Sequence, residues 1–258
     1  MRDQGNFHAY VVEGLARRIL RGDVQPHASL PREDELTQEF GVSRTVVREA
    51  TKTLQAMGLV VTGPRTGTRV QPMHRWRLLD PQVMDWLTDE NLATSFVQDL
   101  LDLRFMIEPE AAALAAERAT PEQVATIMDA ANEMCASPER SHYEAADFIF
   151  HEAIFAAAGN MLLGQLSPVM RGVLKASFRY SARGDDQRRE SSLVHMRIAK
   201  AIAARKPADA RNTMIKILRR ARTDIEEAAR ETKVAKKRNG FRGSVHVGKR
   251  REMADPGA

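Results

Sequence analysis

The sequence is short of cysteine and of aromatic rings. A single cysteine, Cys135, excludes any disulfide within the chain. Nine Phe, three Tyr and two Trp among 258 residues are few for an all-β core. The Ala, Leu and Met runs favour helix instead, because small and straight side chains lose little freedom there. No run of about eighteen apolar residues occurs, since Arg, Glu or Asp interrupts the most apolar segments every few positions, and no segment reads as a membrane span. The first thirty residues hold no continuous apolar stretch of the signal-peptide kind. The expected location is therefore the cytoplasm. No internal repeat of solenoid period is present.

What remains is an ordinary globular composition, 43% apolar and 28% charged, with charge unevenly placed. Residues 1–75 carry eleven Lys/Arg against eight Asp/Glu, residues 76–230 carry twenty against twenty-three, and residues 231–258 carry eight against three. A basic front, an acidic body and a basic tail point to nucleic acid at one end and a different task in the middle.

Phe7, Val11, Leu15 and Ile19 recur every four residues up to Gly22, a first helix. A second opens at Leu30-Pro31-Arg32-Glu33-Asp34-Glu35-Leu36, with acidic residues in its first turn, and stops at Phe40-Gly41. Ser43 is a good N-cap for a third, in which Val46, Val47, Ala50, Leu54 and Met57 recur at helical spacing until Gly58. Leu59-Val60-Val61-Thr62 and Thr68-Arg69-Val70 then form a hairpin across the turn 63–67. Three helices and a small hairpin make a winged helix-turn-helix.

Beyond it the spacing predicts helices over about 95–119, 121–136, 143–158, 160–182, 189–205 and 207–234. The fold expected is mainly α: a winged helix-turn-helix over 1–75, a linker with a short helix over 76–94, an antiparallel helical bundle over 95–234, and a disordered basic tail over 235–258.

In a helix-turn-helix the second helix of the motif enters the major groove. Here it begins Ser43-Arg44-Thr45-Val46-Val47-Arg48. Arg44 and Arg48, four apart, share a face and carry forks suited to guanine O6 and N7. Ser43 and Thr45 suit phosphates, and Gly67, flanked by Thr66 and Thr68, lets the wing tip approach a groove closely. Taken alone, an arginine pair on a helix is more often a solvated face. The surrounding pattern decides otherwise. Leu30-Pro31-x-Glu33-x-Glu35-Leu36, then Gly41-Val42-Ser43-Arg44-Thr45-Val46-Val47-Arg48-Glu49-Ala50, then Met57-Gly58-Leu59-Val60 and Gly67-Thr68-x-Val70 closely resemble the GntR family of bacterial regulators over residues 8–72. The resemblance implies operator contacts from Arg32, Ser43, Arg44, Thr45, Arg48, Thr66, Gly67 and Thr68. One departure is Asp34, where that family often has Arg.

Asp147 and His151 stand at i and i+4 beside Phe148, Ile149 and Phe150, and His195 lies on another predicted helix. A histidine on an apolar face is commonly a hydrogen-bonded core residue. The segment resembles, however, the C-terminal ligand-binding (FCD) bundle of the FadR-like branch of that family, where an Asp-x3-His and two later His hold a divalent metal, often with a carboxylate effector. Asp147, His151 and His195 match; at the last His stands Ile217. The resemblance thus implies a zinc-like metal on three ligands, completed by water and effector oxygens. Arg104, in Leu103-Arg104-x3-Glu108-Pro109, matches a position that pairs with an effector carboxylate; its other reading is an intrahelical pair with Glu108. Trp76-x-x-Leu79-Asp80-x-x-Val83-x-x-Trp86 looks most like regulators that respond to sugar acids such as galactonate.

The expectation is a homodimeric, DNA-binding repressor of a sugar-acid operon, relieved by a small carboxylate. A hydrolytic metal enzyme is the rival, but there is no His-Glu-x-x-His, no phosphate-cradling Gly loop and no nucleophile elbow. A DNA packer is a weaker rival, supported by the basic tail alone.

Overall fold

The computed structural model describes residues 4–89, 94–136, 139–180 and 184–244. It is helical apart from one hairpin: α1 (Gln4–Arg21), α2 (Glu33–Phe40), α3 (Arg44–Ala56), β1 (Val60–Gly63), β2 (Gly67–Val70), α4 (Pro81–Asp89), α5 (Thr94–Arg118), α6 (Pro121–Ala136), α7 (Arg140–Ala157), α8 (Met161–Tyr180), α9 (Asp185–Ala203) and α10 (Pro207–Ser244). The chain forms two compact units, Met1–Phe96 with Met161–Lys175, and Val97–Asn160 with Ala176–Ala258.

In the first unit the apolar stripes of α1 (Val11, Leu15, Ile19) and α3 (Val47, Ala50, Leu54) meet in one core with Leu30, Leu36, Leu59 and Val70. Gly41, with φ of 65°, supplies the left-handed residue that ends α2. Ser43 caps α3, its Oγ accepting the Val46 N–H. The strands pair antiparallel, Val60 opposite Val70 and Gly63 opposite Gly67. A bridge between Ser29 and Arg69 ties the wing to the entry of α2. The short helix expected within 76–94 is α4, and its Val83, Trp86 and Leu87 are buried in this same core.

In the second unit α6 packs on both α7 and α9, and α9 on α10. Helices α7 and α9 begin earlier than apolar spacing places them, at Arg140 and Asp185. Their first turns are polar and carry no stripe, but Glu139 and Gly184 before them hold the extended backbone of an N-cap. The last helix runs on to Ser244, past the expected end at 234. Ala235, Lys236, Lys237 and Arg238 break the apolar pattern without breaking helix propensity. The break expected at Ser137-Pro138 and residues 245–258 of the tail lie outside the described residues.

Candidate DNA-reading face and buried sensing site

Helix α3 turns Leu54, Ala50 and Val47 into the core and leaves Ser43, Arg44, Thr45 and Arg48 exposed. Arg32, before α2, is exposed as well. With Thr66, Gly67 and Thr68 it lines a groove of about 580 Å³ between the start of α2 and the wing. Sequence reading took Gly67 as the apex of the wing; the cation there is its neighbour Arg65, exposed and itself at positive φ. Neither arginine of α3 stands free. Arg44 Nη2 lies 3.1 Å from Asp34 Oδ1, and Arg48 Nε donates to Glu33 Oε2 at 2.8 Å.

The second constellation is buried. Asp147 and His151 project from α7, His195 from α9, Arg104 and Glu108 from α5, and all are at most 5% exposed. His195 Nε2 lies 2.8 Å from Asp147 Oδ1, and His151 Nε2 lies 3.9 Å from the same oxygen. Ligand atoms of the three lie within 4.8 Å of one another. Phe150 walls the site, edge-on to both imidazoles, whereas Ile149 is half exposed and faces away.

The hydrogen bonds around His195 constrain what sits between it and Asp147. Its Nδ1 is 2.9 Å from the Ser191 carbonyl, an acceptor only, so Nδ1 carries the proton. In the neutral ring Nε2 is then a lone pair aimed at a carboxylate, which is tenable only with a second proton or a cation between them. Tyr143 Oη donates to Ser191 Oγ at 2.9 Å, fixing the turn of α9 that orients the ring.

Arg104 Nε and Nη2 donate to the two oxygens of Glu108 at 2.6 and 3.3 Å, and Nη1 donates to Ser177 Oγ at 3.1 Å. The intrahelical pair is thus formed, and it is buried. Glu108 Oε2 also lies 3.1 Å from His151 Nδ1, but off the ring N–H axis, leaving Nδ1 without an aligned partner. Glu108 and Ser177 are the members that sequence reading missed as site residues. The i+4 spacing from Arg104 was the signal for Glu108; nothing local marks Ser177.

Burial by itself raises the Glu108 carboxyl, yet the Arg104 charge and His151 hold it down at about 2. Burial likewise raises Asp147, and His195, His151 and Arg104 hold it well below the usual carboxylate range. With both imidazoles neutral, two buried carboxylates against one guanidinium leave an excess negative charge, which a divalent cation on Asp147, His151 and His195 would offset. Tetrahedral ligands bound at about 2.1 Å stand about 3.4 Å apart, a spacing that the 2.8 and 3.9 Å separations bracket. The residues present fit a metal. Ile217, buried on α10, offers no further donor.

Two family descriptions match the chain: "Bacterial regulatory proteins, gntR family" over residues 8–70 and "FCD domain" over residues 99–220. The HTH-type transcriptional regulator YieP of Escherichia coli K12 is 39% identical over 179 residues, 68% of this chain and 77% of its own length. The chain belongs to the GntR family. The galactonate operon transcriptional repressor of E. coli K12 is 33% identical over 177 residues, covering 68% of this chain and 77% of that protein. LutR of Bacillus subtilis is 31% identical over 217 residues, 81% and 94% of the two chains. The solved structure of Lar, which controls expression of the Listeria monocytogenes agr system, shares the fold at TM-score 0.58 and 20% identity, over 85% of this chain and 96% of that one. This GntR protein is a DNA-binding transcriptional regulator with an FCD domain, and not an enzyme. Among its described residues no helix is long and apolar enough to cross a membrane.

Proposed function

We propose that this regulator is a homodimeric, cytoplasmic repressor of a sugar-acid catabolic operon, and that a small hydroxy-acid acting with a divalent cation releases it from its operator. Arg32, Ser43, Arg44, Thr45, Arg48 and the wing residues Thr66, Gly67 and Thr68 contact the operator. Asp147, His151 and His195 hold the cation. The observation that carries the sensing half is the aim of His195: with Nδ1 committed to the Ser191 carbonyl, Nε2 points at Asp147 from 2.8 Å. A backbone carbonyl that fixes the tautomer and leaves Nε2 for a cation is how ligating histidines are commonly oriented.

When bound, the cation supplies a Lewis-acidic centre for the effector's carboxylate and neighbouring hydroxyl oxygens. Arg104 then meets that carboxylate through N–H groups that Glu108 and Ser177 do not use. Glu108 couples the two parts, because both its oxygens accept from Arg104 and Oε2 also faces His151. Similarity to a galactonate operon repressor supports the effector class. Since a ligand shifts conformation only through differential affinity, occupancy favours a form with weaker operator binding.

The test is a titration of sugar acids, galactonate among them, with zinc present, against protein bound to its operator. Wild type releases DNA. His195→Ala and Arg104→Lys bind the operator normally and do not respond. If both variants respond as wild type does, the sensing site lies elsewhere.

A further inference from the structure

The first turn of α2 carries three carboxylates, all favoured there by the helix macrodipole, and only one of them also bonds the backbone of its own helix. Glu35 turns back and accepts the backbone N–H of Arg32 at 2.7 Å. Glu33 and Asp34 instead reach across to α3, Glu33 to Arg48 at 2.8 Å and Asp34 to Arg44 at 3.1 Å. The four side chains are between 45% and 67% exposed. Pairs so exposed contribute at most about 1 kcal/mol to stability. The packing of α2 on α3 rests on Leu36, Val47, Ala50 and Leu54, so the fold does not require Glu33 and Asp34 to pair with the arginines of α3. They lie on the face proposed above to meet DNA.

We propose that Glu33 and Asp34 determine specificity, by making Arg44 and Arg48 leave a carboxylate before they can bind DNA. Each pair presents a donor fork and an acceptor side by side. A phosphate satisfies the fork but repels the freed carboxylate, so on random DNA one anion is exchanged for another and fewer counterions are released. A base edge can satisfy both. Guanine O6 and N7 take the fork, while the amino group of a cytosine or adenine donates to the carboxylate. The cost of opening each pair therefore falls mainly on phosphate-only binding, and selectivity is a difference between those two affinities.

This inference rests on Arg44 and Arg48 facing DNA, and the experiment separates the two claims. The intact protein first selects its operator from a randomised duplex library. Affinity for the selected duplex and for a random duplex of equal length is then measured across a salt series, for wild type, Glu33→Gln, Asp34→Asn and the double variant. These substitutions are nearly isosteric and exposed, so thermal melts should shift by no more than a few degrees. The expected result is a random-duplex affinity raised roughly 3- to 10-fold in the double variant, with a salt slope steeper by about 1 to 2. Affinity for the selected duplex should rise less or fall. Reselection with the double variant should give a relaxed base at one or more positions in each half-site. An equal shift on both duplexes, or no shift on either, overturns the inference. Arg44→Ala and Arg48→Ala serve as controls: if they alter neither duplex, the reading of α3 as the DNA face falls with it.

Discussion

Arg104 and Glu108 form a bidentate ion pair in the core of the second unit, 5% and 1% exposed, with Nε to Oε1 at 2.6 Å. At such a site the pair is costly to break and cheap to replace, because a lone buried charge has neither water nor partner.

Arg104→Met or Glu108→Leu alone should therefore lower the unfolding free energy by about 3–5 kcal/mol. The double variant should lose less than the worse single one, since it strands no charge. Urea unfolding of the three proteins measures this, and strictly additive losses would show that the two residues are not coupled.

Zinc should bind one equivalent per chain, read by competition with a chromophoric chelator. His195→Ala and Asp147→Asn each remove a ligand and should abolish this. Glu108→Gln leaves the ligands intact but weakens what faces His151 Nδ1, and should cost about 10-fold in affinity. Wild type that takes no zinc from the chelator would remove the cation from the site.

Gly58 ends α3 with φ of +80°, and a Cβ there would stand 2.5 Å from the Arg75 carbonyl oxygen. Gly58→Ala should cost more than about 1 kcal/mol through strain and the close contact together. Because the strand after it begins the wing, operator affinity should fall with thermal stability. Gly41→Ala is the comparison: φ is +65° but nothing lies within 4 Å of the added carbon, so its loss should be smaller. Equal losses would mean that the Arg75 contact relaxes at no cost.

One recognition helix covers too few base pairs to select a site, and two-fold pairing supplies a second half-site about one helical turn away. Sedimentation at micromolar concentration should give a mass twice that of the chain, 28.9 kDa, and footprinting should show two protected half-sites. A monomer that still binds its operator selectively would refute this.

Much of this protein is determined locally, and that part was legible in the sequence. The stripe Val47, Ala50, Leu54, the cap at Ser43 and the turn at Gly41 fix α3 and the face it exposes, because periodicity, capping and left-handed backbone depend on neighbours a few residues away. The spacing of Asp147 and His151 likewise places both on one side of α7. Tertiary structure alone decided that Asp34 and Glu33 would meet Arg44 and Arg48, that Ser177 would join Arg104, and that His195 would face Asp147 with its other nitrogen already committed. These meetings depend on how separate helices pack. Packing is set by the summed burial of many apolar side chains, so no short stretch of sequence records which polar groups it will bring into hydrogen-bonding distance.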